Sequence, residues 1–144
     1  KYEDWEIRFI SNACCKVIYD LPVTIKQDLF FDYMHIDDLV KITEWFIGHS
    51  PREKVFNVCT GRTDSLLTLA DKILAVSGKT LDIRISKKGL GKEYSGDNFK
   101  LLEEIGNFQF RDPDNGVKEL YLWYLEQKKS INKKKLLLFN FIKK

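Results

Sequence analysis

Residues 30–47 read FFDYMHIDDLVKITEWFI, and the change of period inside this stretch decides the fold. Its first seven residues are aromatic or β-branched enough for a strand. Phe31, Tyr33 and His35 would lie on one face, and Phe30, Met34 and Ile36 on the other. The spacing then becomes helical. Asp37 or Asp38 stands where a carboxylate accepts the free N–H groups of a first helical turn, and Leu39, Ile42, Phe46 and Ile47 form an inward stripe. A strand feeding directly into a helix is the repeating step of an α/β protein.

On the N-terminal side, Phe9, Ile10, Ala13, Cys14, Val17 and Ile18 recur at helical spacing within residues 5–19. Pro22 ends this helix, because proline disfavours helical backbone at the residue before it. Val23, Thr24 and Ile25 then read as a short strand, followed by a polar turn at Lys26, Gln27 and Asp28.

On the C-terminal side, residues 55–59 (VFNVC) read as a strand covered on both faces. A helix follows, capped by Asp64 or Ser65, lined by Leu66, Leu69, Ala70, Ile73 and Val76, and stopped at Gly78, which suits a left-handed C-cap. Residues 81–85 alternate as a half-buried strand does, and residues 87–96 (KKGLGKEYSG) read as a basic, glycine-rich loop. That loop has neither a Walker ending nor GxGxxG spacing. Asp97 is placed to cap a short helix with Leu101, Leu102 and Ile105 inward and Gly106 as its stop. Asp112 and Pro113 open a last helix with Val117, Leu120, Tyr121, Tyr124 and Leu125 on one face. Residues 128–144 form a lysine-rich tail around the apolar run 136–142. They are compatible with an added helix, a docked strand or a partly disordered end.

Composition bounds the function. The 144 residues, 44% hydrophobic and 13% aromatic, suffice for one domain with a real core. The net charge of +3 comes from 24 basic against 21 acidic residues, with the basic excess in the tail, so a nucleic-acid footprint is poorly supported. Cys14, Cys15 and Cys59 make no CxxC and no metal spacing, and read as reduced thiols of a cytoplasmic protein. No apolar run approaches the ~18 residues of a spanning helix, and no membrane partner is expected. There is no internal repeat. The sequence begins without Met inside what reads as a helix, as a piece of a longer protein would.

Four fragments taken in order resemble the C-terminal half of the extended short-chain dehydrogenase/reductases, the NAD-dependent epimerases and dehydratases of nucleotide-sugars. They are Arg8-Phe9-Ile10, the DYMHIDD of residues 32–38, the FNVCTG of residues 56–61 followed by Ser65-Leu66, and the YSGDN of residues 94–98. The resemblance covers about residues 5–127. It implies a mixed α/β substrate-binding region in residues 1–127, followed by the tail, residues 128–144.

In that family the glycine-rich NAD loop and the Tyr-x-x-x-Lys catalytic pair belong to an N-terminal half, and this sequence has neither outside one chance pair, Tyr124 and Lys128. The resemblance therefore implies no catalytic residue and no cofactor held by this chain alone, with NAD(P) in the parent enzyme. The implied partner is a UDP-, GDP-, CDP- or dTDP-sugar. Val23, Thr24 and Ile25 would pass the base, and Tyr33 would offer an aromatic face. Phe31 stands where the family places an Arg that pairs with phosphate, so Lys26, Lys88 or Lys92 would take over the phosphates, or the ligand differs. The family's strands equivalent to 30–36 and 55–59 lie close to, or join, the NAD-binding sheet. Bare apolar edges are therefore expected, covered by a homodimer, with or without exchanged elements, or by the tail folded over the exposed surface.

Weighed singly, His35 reads as a packed, hydrogen-bonded residue rather than an acid or base, and Asp37 and Asp38 as helix-capping residues. Arg62, after Thr60-Gly61, stands at a strand end where open α/β sheets place ligands, and a solvated loop Arg is the competing reading. Lys88, Lys92 and Tyr94 could hold a phosphate or cover a site, against an exposed connector. Trp5, Trp45 and Trp123 read as core or interface. The expected function is nucleotide-sugar binding within an NAD-dependent enzyme; the alternative is a non-enzymatic interaction or dimerisation module on the same scaffold.

Overall fold

In the computed structural model, residues 3–106 and 108–138 are described. They form α1 (Phe9–Ile18), β1 (Val23–Asp28), β2 (Phe30–Phe31), α2 (Ile36–Gly48), β3 (Asp64–Ser65), α3 (Leu66–Ser77), β4 (Ile83–Leu90), α4 (Phe99–Ile105), α5 (Pro113–Glu126), a 3-10 turn (Lys128–Ser130) and α6 (Lys133–Leu138). The fold is α/β. β1 and β4 pair in parallel, with Val23 beside Ile83 and Ile25 beside Ile85, and the register slips between Gln27 and Asp28. β2 pairs antiparallel with β3.

The core lies where α1, α3 and α5 meet over β1. Ala13, Cys14 and Val17 of α1, Leu69, Ala70 and Ile73 of α3, Val117, Tyr121 and Tyr124 of α5, and Val23 and Ile25 of β1 are all buried there. Polar ties fix the angles between these elements. Lys72 of α3 bridges Asp64 at 2.9 Å and Asp114 of α5 at 2.8 Å. Lys79 caps α1 by donating to the Val17 carbonyl at 2.8 Å while pairing with Asp20 at 2.9 Å.

The capped helices follow the pattern. Ser65 caps α3 through the Thr68 N–H, Gly78 ends it at φ 65°, and the Asp112 side chain accepts from the Asp114 N–H at the start of α5, where Pro113 opens the helix.

Several expectations are corrected. The strand expected over 30–36 is only Phe30–Phe31, and α2 starts at Ile36 with His35 as its N-cap, Nδ1 accepting from the Asp37 N–H at 3.2 Å. Asp37 and Asp38 lie inside the first turn instead of capping it. Of the α2 stripe, Ile42 is buried and Phe46 half-buried, but Leu39 and Ile47 are exposed. The expected turn at 26–28 is the end of β1, because parallel pairing with β4 continues to Asp28 and Leu90. For the same reason residues 87–90 of the glycine-rich stretch are strand and not loop.

Residues 55–59 form no strand, and Val55 and Val58 are exposed; among the described residues nothing pairs their backbone into a ladder. The first helix begins at Phe9 and not near Trp5, α4 is entered through Asn98 although Asp97 Oδ1 does accept from the Phe99 N–H, and Leu125 faces solvent. In the tail, Ile131 and Leu136 are buried in the core, and residues 139–144 of its apolar run lie outside the described residues.

Candidate functional site

Two features meet just past β2. The first is a polar junction built on Asp32, whose Oδ1 accepts from the backbone N–H of Thr60 at 2.9 Å and from its hydroxyl at 2.8 Å, while Oδ2 accepts from the Gly61 N–H at 2.8 Å. Gly61 has φ +72°, and a Cβ there would stand 3.0 Å from Asn98 Oδ1, so both backbone angle and space call for glycine. Asn98 in turn donates to the Cys59 carbonyl at 3.0 Å.

From this turn Arg62 projects into solvent and donates through Nη2 to the Arg111 carbonyl at 3.2 Å. Arg111 is the hub of the next layer. Its backbone N–H donates to Asp38 Oδ2 at 2.8 Å, and its guanidinium pairs with Asp37 at 2.8 Å and Glu119 at 3.0 Å. Asp38 is buried, and its Oδ1 has no hydrogen-bond partner among the described residues.

The second feature is an aromatic run. The loop after β4 returns to β2: Tyr94 donates its N–H to the Phe30 carbonyl at 2.8 Å, and its carbonyl accepts from the Asp32 N–H at 3.2 Å. The Tyr94 ring, 76% exposed as a residue, leans on Phe31 at 6.0 Å between centroids, and Phe31 meets Tyr33 at 5.8 Å. These separations are those of tilted aromatic contacts. Tyr33 is half-buried, and burial pushes its hydroxyl up to about 12, so it stays protonated at neutral pH.

The sequence-derived candidates divide accordingly. Tyr33 and Tyr94 are brought together around Phe31, and Arg62 joins the neighbouring junction. Lys88, on β4, and Lys92, in the loop leading to Tyr94, are exposed. Val23, Thr24 and Ile25 lie on β1 with buried side chains, and Thr24 Oγ1 accepts from the buried Lys16 amine at 2.6 Å. Their side chains belong to the core and not to the aromatic run. β1 does reach the loop through its far end, where the Asp28 carbonyl accepts from the Gly91 N–H at 2.8 Å.

Two groups escaped the sequence reading, the Asp32 clamp and the Arg111 hub. Asp32 entered only as the first residue of the DYMHIDD fragment, with no role attached to its carboxylate.

The one Tyr-x-x-x-Lys spacing forms no catalytic pair. Tyr124 donates its hydroxyl to the Glu3 carbonyl at 3.1 Å, and burial pushes it up to about 12, while Lys128 lies over the Tyr19 ring at 5.2 Å. No strand–turn–helix glycine cradle for a dinucleotide occurs among the described residues: Gly89 is within β4 and Gly91 follows it, with no helix until Phe99. The described residues thus offer no glycine-rich turn into a helix for a dinucleotide pyrophosphate. No group of three or more His, Cys, Asp or Glu among the described residues is placed to hold a metal ion.

No family model matches the sequence. Among solved structures, UDP-glucuronic acid 4-epimerase from Bacillus cereus, in complex with NAD, superposes with a TM-score of 0.70 at 20% identity over 84% of this chain and 39% of that one. The fold is shared with this epimerase structure. UDP-glucose 4-epimerase from Thermotoga maritima, solved with UDP-glucose, matches with a TM-score of 0.69 at 21% identity, over 82% of this chain and 39% of its own. A GDP-L-fucose synthetase from Naegleria fowleri matches with a TM-score of 0.72 at 16% identity, over 90% and 43%. The chain thus spans about two fifths of the length of these structures.

Proposed function

We propose that this chain is the nucleotide-sugar-binding part of an NAD(P)-dependent epimerase, dehydratase or reductase, catalytically incomplete as it stands. A dinucleotide-binding half outside these residues would supply the cofactor and the hydride chemistry. In this reading residues 1–127 form the substrate region and residues 128–144 an appended tail. The observation that carries it is the likeness to epimerase structures over most of this chain and about two fifths of theirs.

The ligand would be a UDP-, GDP-, CDP- or dTDP-sugar. The backbone of Val23, Thr24 and Ile25 would pass the base, the rings of Tyr33 and Tyr94 would offer planar faces, and Arg62, Lys88 and Lys92 would supply cations. Lys88 and Lys92 fit a phosphate role because they are exposed and form no ion pair among the described residues. Three free thiols, two of them adjacent on α1 and unable to pair with one another, suit a reducing, cytoplasmic setting.

Titration calorimetry of the chain, alone and joined to an upstream half, against sugars of the four nucleotide classes tests the reading. Binding to one class, weakened by Lys88→Ala and Lys92→Ala together, is expected; absence of heat with all four, in both forms, overturns it.

Phe31 favours a second reading. An apolar ring stands where the resemblance places a phosphate-pairing Arg, and it is engaged with Tyr33 and Tyr94 rather than open to a ligand. That suits a non-enzymatic interaction or dimerisation module, which would bind none of the four sugars and would associate with itself or with another protein.

A further inference from the structure

We propose that residues 128–138 form a surface that binds the interface of an anionic lipid bilayer. The first observation is a segregation of charge. Seven of the 24 basic residues fall in 128–144 and none of the 21 acidic ones does, so the remaining residues carry 17 basic against 21 acidic.

The second is that this cationic segment is anchored to the protein by one face only. Ile131 and Leu136 are buried, the Tyr19 hydroxyl donates to the Lys128 carbonyl at 2.7 Å, and the amines of Lys128 and Lys133 lie 5.2 and 5.6 Å from the Tyr19 ring centre.

The third is what the other face presents. In a helix, residues four apart lie above one another, so Lys134 and Leu138 share the side opposite Leu136. Leu137 is 54% and Leu138 79% exposed, and Lys129 and Lys134 are exposed with no ion pair among the described residues. The sequence continues this mixture with Phe139, Phe141, Ile142, Lys143 and Lys144.

Exposed leucines interleaved with unpaired lysines select the partner. A nucleic acid would neutralise the lysines and leave the leucines in water. A neutral apolar surface would do the reverse. An anionic bilayer satisfies both, taking the leucines at the acyl boundary while the lysine stems extend to the headgroups. Binding of this kind strengthens with both the apolar area buried and the attraction to anionic lipids. The expectation of no membrane partner rested on spanning length, and indeed no helix among the described residues is long and apolar enough to cross a membrane; lying on a surface needs no such length.

Co-sedimentation of the full chain with vesicles of phosphatidylcholine, with and without phosphatidylserine, tests the proposal. Binding is expected only to the phosphatidylserine vesicles and should weaken with salt. Leu137→Ser with Leu138→Ser, and separately Lys129→Gln with Lys134→Gln, should each weaken it roughly tenfold. All four side chains are exposed, so the unfolding midpoint of each variant should stay at that of the parent. Failure to sediment with phosphatidylserine vesicles, equal sedimentation with neutral ones, full binding by the leucine variant, or tighter retention by a DNA duplex at the same salt overturns it.

Discussion

The carboxylate of Asp32 holds Thr60 at two points, accepting from its backbone N–H at 2.9 Å and from its hydroxyl at 2.8 Å. The other oxygen takes the Gly61 N–H at 2.8 Å. Residues 55–61 have no strand ladder, so this carboxylate, with Asn98 on the Cys59 carbonyl, holds the turn from which Arg62 projects. Hydrogen bonds to a charged acceptor are stronger than neutral ones, and removing the acceptor leaves three donors to find water. Asp32→Ala should destabilise the protein by about 2–4 kcal/mol in urea unfolding, allowing for partial rehydration of the turn. Asp32→Asn, which keeps one acceptor oxygen, should cost less; equal losses would show that the retained oxygen contributes nothing and that the charge and the second oxygen carry the whole effect.

Lys16 sets the pH response of the core. It is 2% exposed, and burial lowers its amine from 10.5 to about 8. Between those values the unfolded chain binds more protons than the folded one, so stability rises with pH. The penalty of a buried amine is fully present below about 8 and is gone above 10.5. Buried acids work the other way: burial raises Cys15 from 9.0 to about 12 and Tyr33 from 10.0 to about 12, and each costs stability as pH passes its unfolded value. The difference between the parent and Lys16→Met isolates the amine. At pH 7 the variant should be at least as stable by thermal melting, and the parent should gain on it as pH rises from 8 towards 10.5. A pH-independent difference would refute this assignment.

What could be read in the sequence divides along the same physical line. α3 was legible to its ends because everything that defines it is local or internal: the Ser65 cap, the stripe Leu66, Leu69, Ala70 and Ile73 facing the core, and Gly78 at positive φ. The patterns at 36–47 and 55–59 are equally regular, yet Leu39, Ile47 and Val55 face outward. An apolar stripe implies a covering surface without saying which chain provides it. His35 was placed on a strand by alternation, but its ring caps α2, and alternation cannot register that competition. For the candidate site, Tyr33 was singled out through the resemblance, Tyr94 through its glycine-rich stretch, and Arg62 by its place after residues 55–59, which form no strand. That Tyr94 joins Tyr33 around Phe31, and that Arg62 reaches the Arg111 carbonyl, could not be read, because these contacts depend on Tyr94 pairing with residues 30–32 and on Arg111 reaching Asp38, a separation of 73 residues along the chain.

The thiols give a separate check on the packing of α1. Cys14 and Cys15 are buried in the core, and burial pushes both thiols up, Cys15 to about 12, which suppresses the reactive thiolate at neutral pH. Cys59 is only half-buried, near Gly96, and burial raises it as well. Iodoacetamide at neutral pH should therefore label Cys59 slowly and the other two not at all, whereas all three should react in urea, as read by mass spectrometry. Native labelling of Cys14 at the rate of Cys59 would mean that α1 opens far more often than its burial allows.

Ile47 is 82% and Val55 79% exposed, and the elements that carry them meet through the rings of Phe46 and Phe56, 5.0 Å apart. Ile36, Val40 and Phe99 are exposed too. Large exposed apolar surface is characteristic of protein–protein contact sites. If the contact is a second copy of this chain, light scattering should show a mass that rises with concentration, and Ile47→Glu with Val55→Glu should return it to a monomer. Neither side chain is buried, so the double variant should melt within about a degree or two of the parent, exposed substitutions costing little. Joined to an upstream half that covers this face, the same pair should instead lower the melting temperature of the whole, because the glutamates would then be desolvated. A parent chain that stays monomeric at all concentrations, with a joined protein indifferent to both glutamates, would remove this face from the account.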